Sequence, residues 1–213
     1  MAGKRALLPR IVVAGDSISL QYGPYLTRYL KGLAECAPLK NAQGPDEDGE
    51  MPWGANCGDS MRVIKFLREK EEAGGIDADV MLVNCGLHDI KTDPATGRKQ
   101  VPLNEYRENL RTVVGLAARM AVPLVWVRTT PCDEAVHNAR VSEFHRFFAD
   151  CRAYNTAADE VMAQARVPVI DLYGFTLNLG GDVFHDHVHF REHVREKQGA
   201  YIAGWLAAWL VSL

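Results

Sequence analysis

The strongest constraint on the fold is an alternation along the chain. Short, continuously apolar runs take turns with longer stretches whose apolar residues recur every three or four positions. A short aliphatic run reads as a strand buried on both faces, and a stripe at i, i+3, i+4 reads as one face of a helix. Residues 10–14, 79–85, 123–128 and 167–172 are of the first kind. Residues 22–33, 60–72, a stretch that Asn104 can cap, 139–165, and the chain from about Val194 are of the second. The stripe of the first helical stretch is Tyr22, Leu26, Tyr29, Leu30 and Leu33, with Pro24 in a first turn, where its missing N–H costs nothing. Val141, Phe144, Phe148, Cys151 and Tyr154 begin the stripe of 139–165.

Strands separated by helices pair in parallel, because parallel neighbours need long crossover connections. The expected class is therefore α/β: a three-layer α/β/α arrangement around a parallel sheet, flavodoxin-like in layout. An edge strand is expected near Leu39-Lys40, and residues 41–50, rich in Gly, Pro and acids, read as a loop rather than a boundary. With no repeat and no linker, residues 1–213 are expected to form a single domain, a length that supports a sizeable core.

A net charge of −3 offers no basic footprint for nucleic acid or an anionic membrane, and neither partner is expected. The nearly apolar stretch from Tyr201 to Leu213 is too short for a bilayer, which needs about twenty residues, and reads as a buried terminal helix. Cys36, Cys57, Cys85, Cys132 and Cys151 are odd in number and lack a C-x-x-C pair. Buried thiols in a reducing, cytoplasmic setting are expected rather than a disulfide framework. Lys4 and Arg5 precede an apolar run in the manner of a leader peptide. That run leads straight into Gly15-Asp16-Ser17, so cleavage after it would remove the residues most suited to chemistry.

In parallel sheets ligands sit outside the carboxyl ends of the strands. The polar residues there are Gly15-Asp16-Ser17, Gly86-Leu87-His88-Asp89 and Thr129-Thr130-Pro131. Taken alone, Gly15-Asp16-Ser17 is also an ordinary turn with a helix cap, with Asp16 suited to bracing it. Asp186-His187-Val188-His189-Phe190 sets a carboxylate three residues before an imidazole. One tight turn then places Asp186 on one ring nitrogen of His189 and leaves the other free as a base.

His185, His187, His189 and His193 form a dense group, but without H-E-x-x-H or a supporting cysteine no metal is expected. His185, His187 and His193 are expected at a cleft edge or in solvent. Tyr154-Asn155 reads as packing, Trp53 as either a cleft wall or core, and Trp205 and Trp209 as one structural helix face. Lys91, Arg98 and Lys99 read as solvated loop charges, with contact to an anionic substrate group as the other reading.

Four blocks carry a more specific signal together than any one alone: Gly15-Asp16-Ser17-Ile18-Ser19, Asn56-Cys57-Gly58-Asp59-Ser60, Gly86-Leu87-His88-Asp89 and Asp186-His187-Val188-His189-Phe190. In order and spacing, over nearly the whole chain, they resemble the blocks of the SGNH (GDSL-type) serine hydrolase superfamily. The resemblance implies the SGNH hydrolase fold, with Ser17 as nucleophile, His189 as base and Asp186 orienting it. It also implies an oxyanion hole from the backbone N–H groups of Ser17 and Gly58.

The third block departs from the family's Gly-x-Asn-Asp. His88 stands where the family has the Asn oxyanion donor, marking a Gly-Leu-His-Asp subgroup. Imidazole can still present an N–H, and its titration near neutrality is expected to make activity pH-dependent. The competing reading has His88 only packing or pointing at Asp89.

The implied activity is carboxylic ester hydrolysis through an acyl-enzyme, without a cofactor. The expected substrate is a small-molecule or glycan ester bearing a small acyl (acetyl) group on a carbohydrate or other polar alcohol. A catalytically silent or acyl-transferring protein that binds acylated glycans is the alternative.

Overall fold

The structure, a computed structural model, describes residues 8–38 and 56–211. Leu39-Lys40, the loop 41–50 and Trp53 lie outside the described residues. The elements in chain order are β1 (Arg10–Ala14), α1 (Ser17–Tyr29), β2 (Glu35–Pro38), α2 (Ser60–Glu72), β3 (Val80–Val83) and α3 (Leu103–Arg119). They continue with β4 (Leu124–Val127), α4 (Glu134–Arg140), α5 (Phe148–Gln164), β5 (Val169–Ile170), α6 (Leu172–Leu177) and α7 (Glu192–Val211).

The strands form one parallel sheet in the order β2-β1-β3-β4-β5, the flavodoxin-like order expected. Every residue of β3 and β4 is buried, as continuous apolar runs demand of strands covered on both faces. Among the helices α1 packs on α7 and α7 on the short α6, while α2 packs on α3 and α3 on α5. The stripe Tyr106, Leu110, Val113, Leu116 and Ala117 of α3 is buried. Each such large side chain removed from water stabilises the fold by about 1.5–3 kcal/mol. Trp205 and Trp209 stack with centroids 5.8 Å apart and pack against the core, a structural role as expected.

Four elements differ from the sequence reading, each for a local reason. Helix α1 starts at Ser17, well before Tyr22, because Asp16 caps it with Oδ1 accepting the Ile18 N–H at 3.0 Å. Pro24 therefore stands inside α1 rather than in its first turn. Helix α3 starts at Leu103 behind Pro102 with no side-chain cap, so Asn104 lies in the first turn instead of capping it. Residues 139–165 are not one helix. His145 exchanges two backbone hydrogen bonds of 2.8 Å with Thr92, and the Asn138 side chain accepts the Arg146 N–H at 2.9 Å, which breaks the stretch between α4 and α5. Helix α6, which the apolar pattern does not announce, is started by Asp171 accepting the Gly174 N–H.

One close approach matters for the site. A Cβ on Gly199 of α7 would stand 2.8 Å from the Leu26 nitrogen and 3.0 Å from the Tyr22 carbonyl oxygen of α1. Glycine lets the two backbones meet, and the chain entering α7 is thereby brought to the same side of the sheet as α1. No helix among the described residues is long and apolar enough to cross a membrane.

Candidate active site

Strand β1 lies between β2 and β3, and the chain leaves it first to one side and then to the other. A crevice opens at the carboxyl ends of strands around such a reversal. Ser17 follows β1 there as the first residue of α1. Gly15 pairs with Asn56, and the Cys57 N–H donates to the Gly15 carbonyl at 2.9 Å. Asn56-Cys57-Gly58 therefore runs alongside the loop that carries Ser17.

The opposing wall is the segment before α7. Phe184 and Phe190 bridge and stack, and the His185 N–H donates to the His189 carbonyl at 2.8 Å, closing a tight loop. Within it Asp186 Oδ1 accepts the backbone N–H groups of Val188 at 2.7 Å and His189 at 2.8 Å. Asp186 Oδ2 lies 2.7 Å from His189 Nδ1, and His189 Nε2 lies 2.9 Å from Ser17 Oγ. With the proton on Nδ1, Nε2 offers a lone pair to the Ser17 hydroxyl. Partial burial works against the Asp186 anion, yet the N–H groups of His189 and Val188 and the His189 ring hold its carboxyl well below the usual range. The residues bracketing almost the whole chain thus form one continuous hydrogen-bonded relay.

Asp16 is 1% exposed, and its burial pushes the carboxyl up to about 6 against the backbone N–H bonds that favour the anion. It braces the turn, as the sequence suggests. The relay loop is tied to α4 on its far side, with the Asp133 N–H on the His187 carbonyl at 3.0 Å. His187 Nδ1 lies 2.6 Å from His137 Nδ1, so His187 is held by a partner rather than left to solvent, while His185 and His193 are exposed.

The expected oxyanion side is arranged differently. Ser17 N–H belongs to the first helical turn, where N–H groups have no intrahelical acceptor. Gly58 adopts φ +61°, and its N–H donates to the Asn56 side-chain oxygen at 2.9 Å, so the expected donor is engaged. His88 is half-buried in the turn after β3. Burial, reinforced by Lys91, Arg146 and Arg62, pushes its imidazole down to about 3. This corrects the expectation of titration near neutrality: His88 stays neutral, with one N–H to donate. Asp89 is fully buried and accepts the Ser60 N–H at 3.0 Å, which fixes the start of α2 to the turn carrying His88. Burial pushes Asp89 up to about 7, opposed by the hydrogen bonds from Ser60.

Supporting contacts come from residues to which the sequence assigned no such role. Asn155 does more than pack: its amide accepts the Thr129 N–H at 3.0 Å and donates to the Thr129 carbonyl at 2.9 Å. Thr129 Oγ1 in turn donates to the Cys85 carbonyl at 2.8 Å. A lone amide in the apolar stripe of α5 is the signal that marks Asn155. Arg146 is 4% exposed and donates from Nε to the Leu87 carbonyl at 2.7 Å. A charge in a polar stretch reads as solvated, so nothing in the sequence flags it.

Of the loop cations, Lys99 pairs with Asp150 and donates to Thr92 Oγ1, Arg98 is exposed, and Lys91 Nζ stands 4.5 Å from the Phe144 ring centre. All five cysteines are free thiols, four of them buried. Among the described residues no group of three or more His, Cys, Asp or Glu side chains is placed to hold a metal ion. Two surface clefts, one including Met61, Ile64 and Arg68 and one including Arg98, Leu103 and Tyr154, contain no residue of the relay.

No family model matches the chain and no curated protein matches its sequence. Solved structures do resemble it. A lipase/acylhydrolase from Enterococcus faecalis superposes with a TM-score of 0.70 at 20% identity, over 95% of this chain and 97% of its own. A GDSL-like lipase from Bacteroides thetaiotaomicron gives 0.65 at 12% identity, over 94% and 89%. Est24, a carbohydrate acetylesterase from Sinorhizobium meliloti, gives 0.63 at 13% identity, over 94% and 99%. The chain has the α/β fold of these GDSL-type acylhydrolases and esterases.

Proposed function

We propose that the chain is a single-domain SGNH-type serine esterase that hydrolyses carboxylic esters through an acyl-enzyme, with Ser17, His189 and Asp186 as its triad. One observation carries the reading: the unbroken contact from Ser17 Oγ through His189 to Asp186, with both links under 3 Å. In the first half-reaction His189 Nε2 takes the Ser17 proton as Oγ attacks the carbonyl carbon. Asp186 stabilises the imidazolium, which then protonates the departing alcohol. Water repeats the sequence on the acyl-enzyme and releases the acid. The oxyanion falls to the Ser17 N–H, the His88 ring N–H, and the Gly58 N–H once the Asn56 amide yields it.

A small acyl group, acetyl first, on a carbohydrate or other polar alcohol is the favoured substrate. Support comes from the likeness to the carbohydrate acetylesterase. A cytoplasmic setting fits the free thiols. The second reading, a silent binder of acylated glycans, draws on the engaged Gly58 N–H. A fluorophosphonate probe separates the two. Labelling of the wild type that disappears in Ser17→Ala supports the esterase, and absence of labelling on folded protein overturns it. p-Nitrophenyl esters of increasing chain length, then acetylated sugars, rank the acyl and alcohol parts.

A further inference from the structure

The cations around His88 are the feature that ester hydrolysis alone leaves without a role. Arg146 is almost wholly buried, yet no carboxylate among the described residues lies within ion-pair distance of it. Its Nε is spent on the Leu87 carbonyl, adjacent to His88, which leaves the two Nη groups of the fork. A buried charge without a counter-charge is costly, and the cost falls when an anion arrives.

The second guanidinium is that of Arg62, on α2. A Cβ added to Gly58 would stand 3.1 Å from both Arg62 Cδ and Nη1, so this guanidinium lies directly over the expected oxyanion glycine. Its backbone N–H is fixed by Asp59 Oδ1 at 2.9 Å, and its exposed side chain makes no ion pair among the described residues. Arg146 Cζ and Lys91 Nζ stand 5.0 and 4.5 Å from the Phe144 ring centre, so the ring holds both cations in place. Both guanidinium charges, with Lys91, act on His88, as does His189 of the relay.

We infer that the site takes esters carrying a carboxylate close to the scissile bond, with Arg62 and Arg146 as its receptor. Guanidinium forks match the two oxygens of a carboxylate, and hydrogen bonds between charged partners are about twice as strong as neutral ones. Asp16 and Asp186 already contribute negative potential at Arg146, so one further negative charge complements it better than the two of a phosphate. The inference rests on the esterase reading for its location and narrows the substrate to acidic esters: half-esters of dicarboxylic acids, or acyl groups on a sugar or hydroxy acid bearing a free carboxylate.

Two substrate pairs test it and assign the side of the charge. p-Nitrophenyl hemisuccinate against p-nitrophenyl butyrate probes the acyl side, after subtraction of spontaneous hydrolysis. Acetylated glucuronic acid against its methyl ester probes the alcohol side. In at least one pair the charged member is expected to lead by about tenfold or more in kcat/KM at low salt, with the lead shrinking as salt is added. Arg62→Gln and Arg146→Gln each shrink that ratio severalfold, and Arg62→Lys restores part of it.

Ratios near one in both pairs, or a ratio untouched by Arg62→Gln, overturn the inference. Because Arg62 is exposed, that variant decides the matter even if Arg146→Gln fails to fold. N-propylsuccinamate and N-propylbutyramide, which are not turned over, provide a binding readout by ligand-observed NMR. Tighter binding of the charged amide places the subsite on the acyl side, and equal binding together with a ratio near one for the glucuronate pair overturns it, whether or not Ser17 takes the fluorophosphonate label. The label alone bears on the esterase reading.

Discussion

The two halves of the candidate site are prepared to different degrees. On the relay side every polar atom that the chemistry needs already has its partner: Ser17 with His189, and His189 with Asp186, which also takes two backbone N–H groups. On the expected oxyanion side no donor meets the acceptor it is meant for until substrate arrives. There the Gly58 N–H has turned to Asn56, and the His88 ring has no hydrogen bond among the described residues. The difference follows from donor and acceptor counting. A relay alternates donors and acceptors and satisfies itself. An oxyanion hole is all donors, so a folded chain either finds a stand-in acceptor or leaves a donor unmatched.

The harshest way to break the comparison is to remove the self-satisfied half. Ser17→Ala is expected to lower kcat by about 10⁴-fold or more, and Asp186→Asn by about 10⁴-fold through the wrong His189 tautomer. Both are measured on the best p-nitrophenyl ester, with near-ultraviolet circular dichroism confirming the fold. A loss below tenfold in either variant means that the relay, complete as its geometry is, does not carry the reaction.

His88 tests the other half. His88→Ala is expected to lower kcat by about 10²–10³-fold, the usual loss of one oxyanion donor, while His88→Asn retains most of the activity by restoring an amide N–H. Burial and the neighbouring cations keep His88 neutral until pH falls to about 3. The pH profile of kcat from 5 to 9 should therefore have the same shape in the wild type and in His88→Asn. A profile that loses an inflection near neutrality in His88→Asn shows His88 titrating there after all.

The sequence spoke clearly on the half that uses side chains with named chemistry. Strand β1, helix α2 over Ser60–Glu72 and the parallel sheet were readable because the apolar period encodes them directly, and the meeting of Ser17, Asp186 and His189 was an expectation of the four-block resemblance. It was mute where structure comes from long-range backbone contacts. The break between α4 and α5 depends on His145 meeting Thr92, two loops far apart in sequence, and the local helical pattern gives no hint of it. Arg146 becomes buried through that same break. The occupied state of Gly58 is invisible for another reason: Asn56 is part of the block that marks the glycine as a donor.

A smaller effect concerns how the oxyanion side is held. Asp89 Oδ1 anchors Ser60, while Oδ2 is buried without a partner, which suits a protonated acid. A carboxyl pushed from its ordinary 3.8 up to about 7 binds more protons folded than unfolded between those values. Stability therefore falls as pH rises through that window, by a few kcal/mol at most on the scale of about 1.4 kcal/mol per pKa unit. Asp89→Asn, which mimics the protonated acid, should flatten the decline in Tm between pH 5 and 8. An equally steep decline in the variant assigns the slope to another group, with Asp16, raised to about 6, the next to substitute.

Asn56→Ala bears most directly on the contrast between the halves and has the smallest expected effect. If the Asn56 side chain only stands in for the oxyanion, its bond to Gly58 must break in every catalytic cycle. Deleting it removes a hydrogen bond whose net worth is about 0.5–1.5 kcal/mol, so stability falls by about that amount. The barrier falls by a similar amount, and kcat should rise about two- to tenfold. Urea unfolding and steady-state kinetics on the same preparation give both numbers. A fall in both assigns Asn56 the opposite part, holding Gly58 in its φ +61° turn so that the N–H points at substrate, and the oxyanion side is then as prepared as the relay.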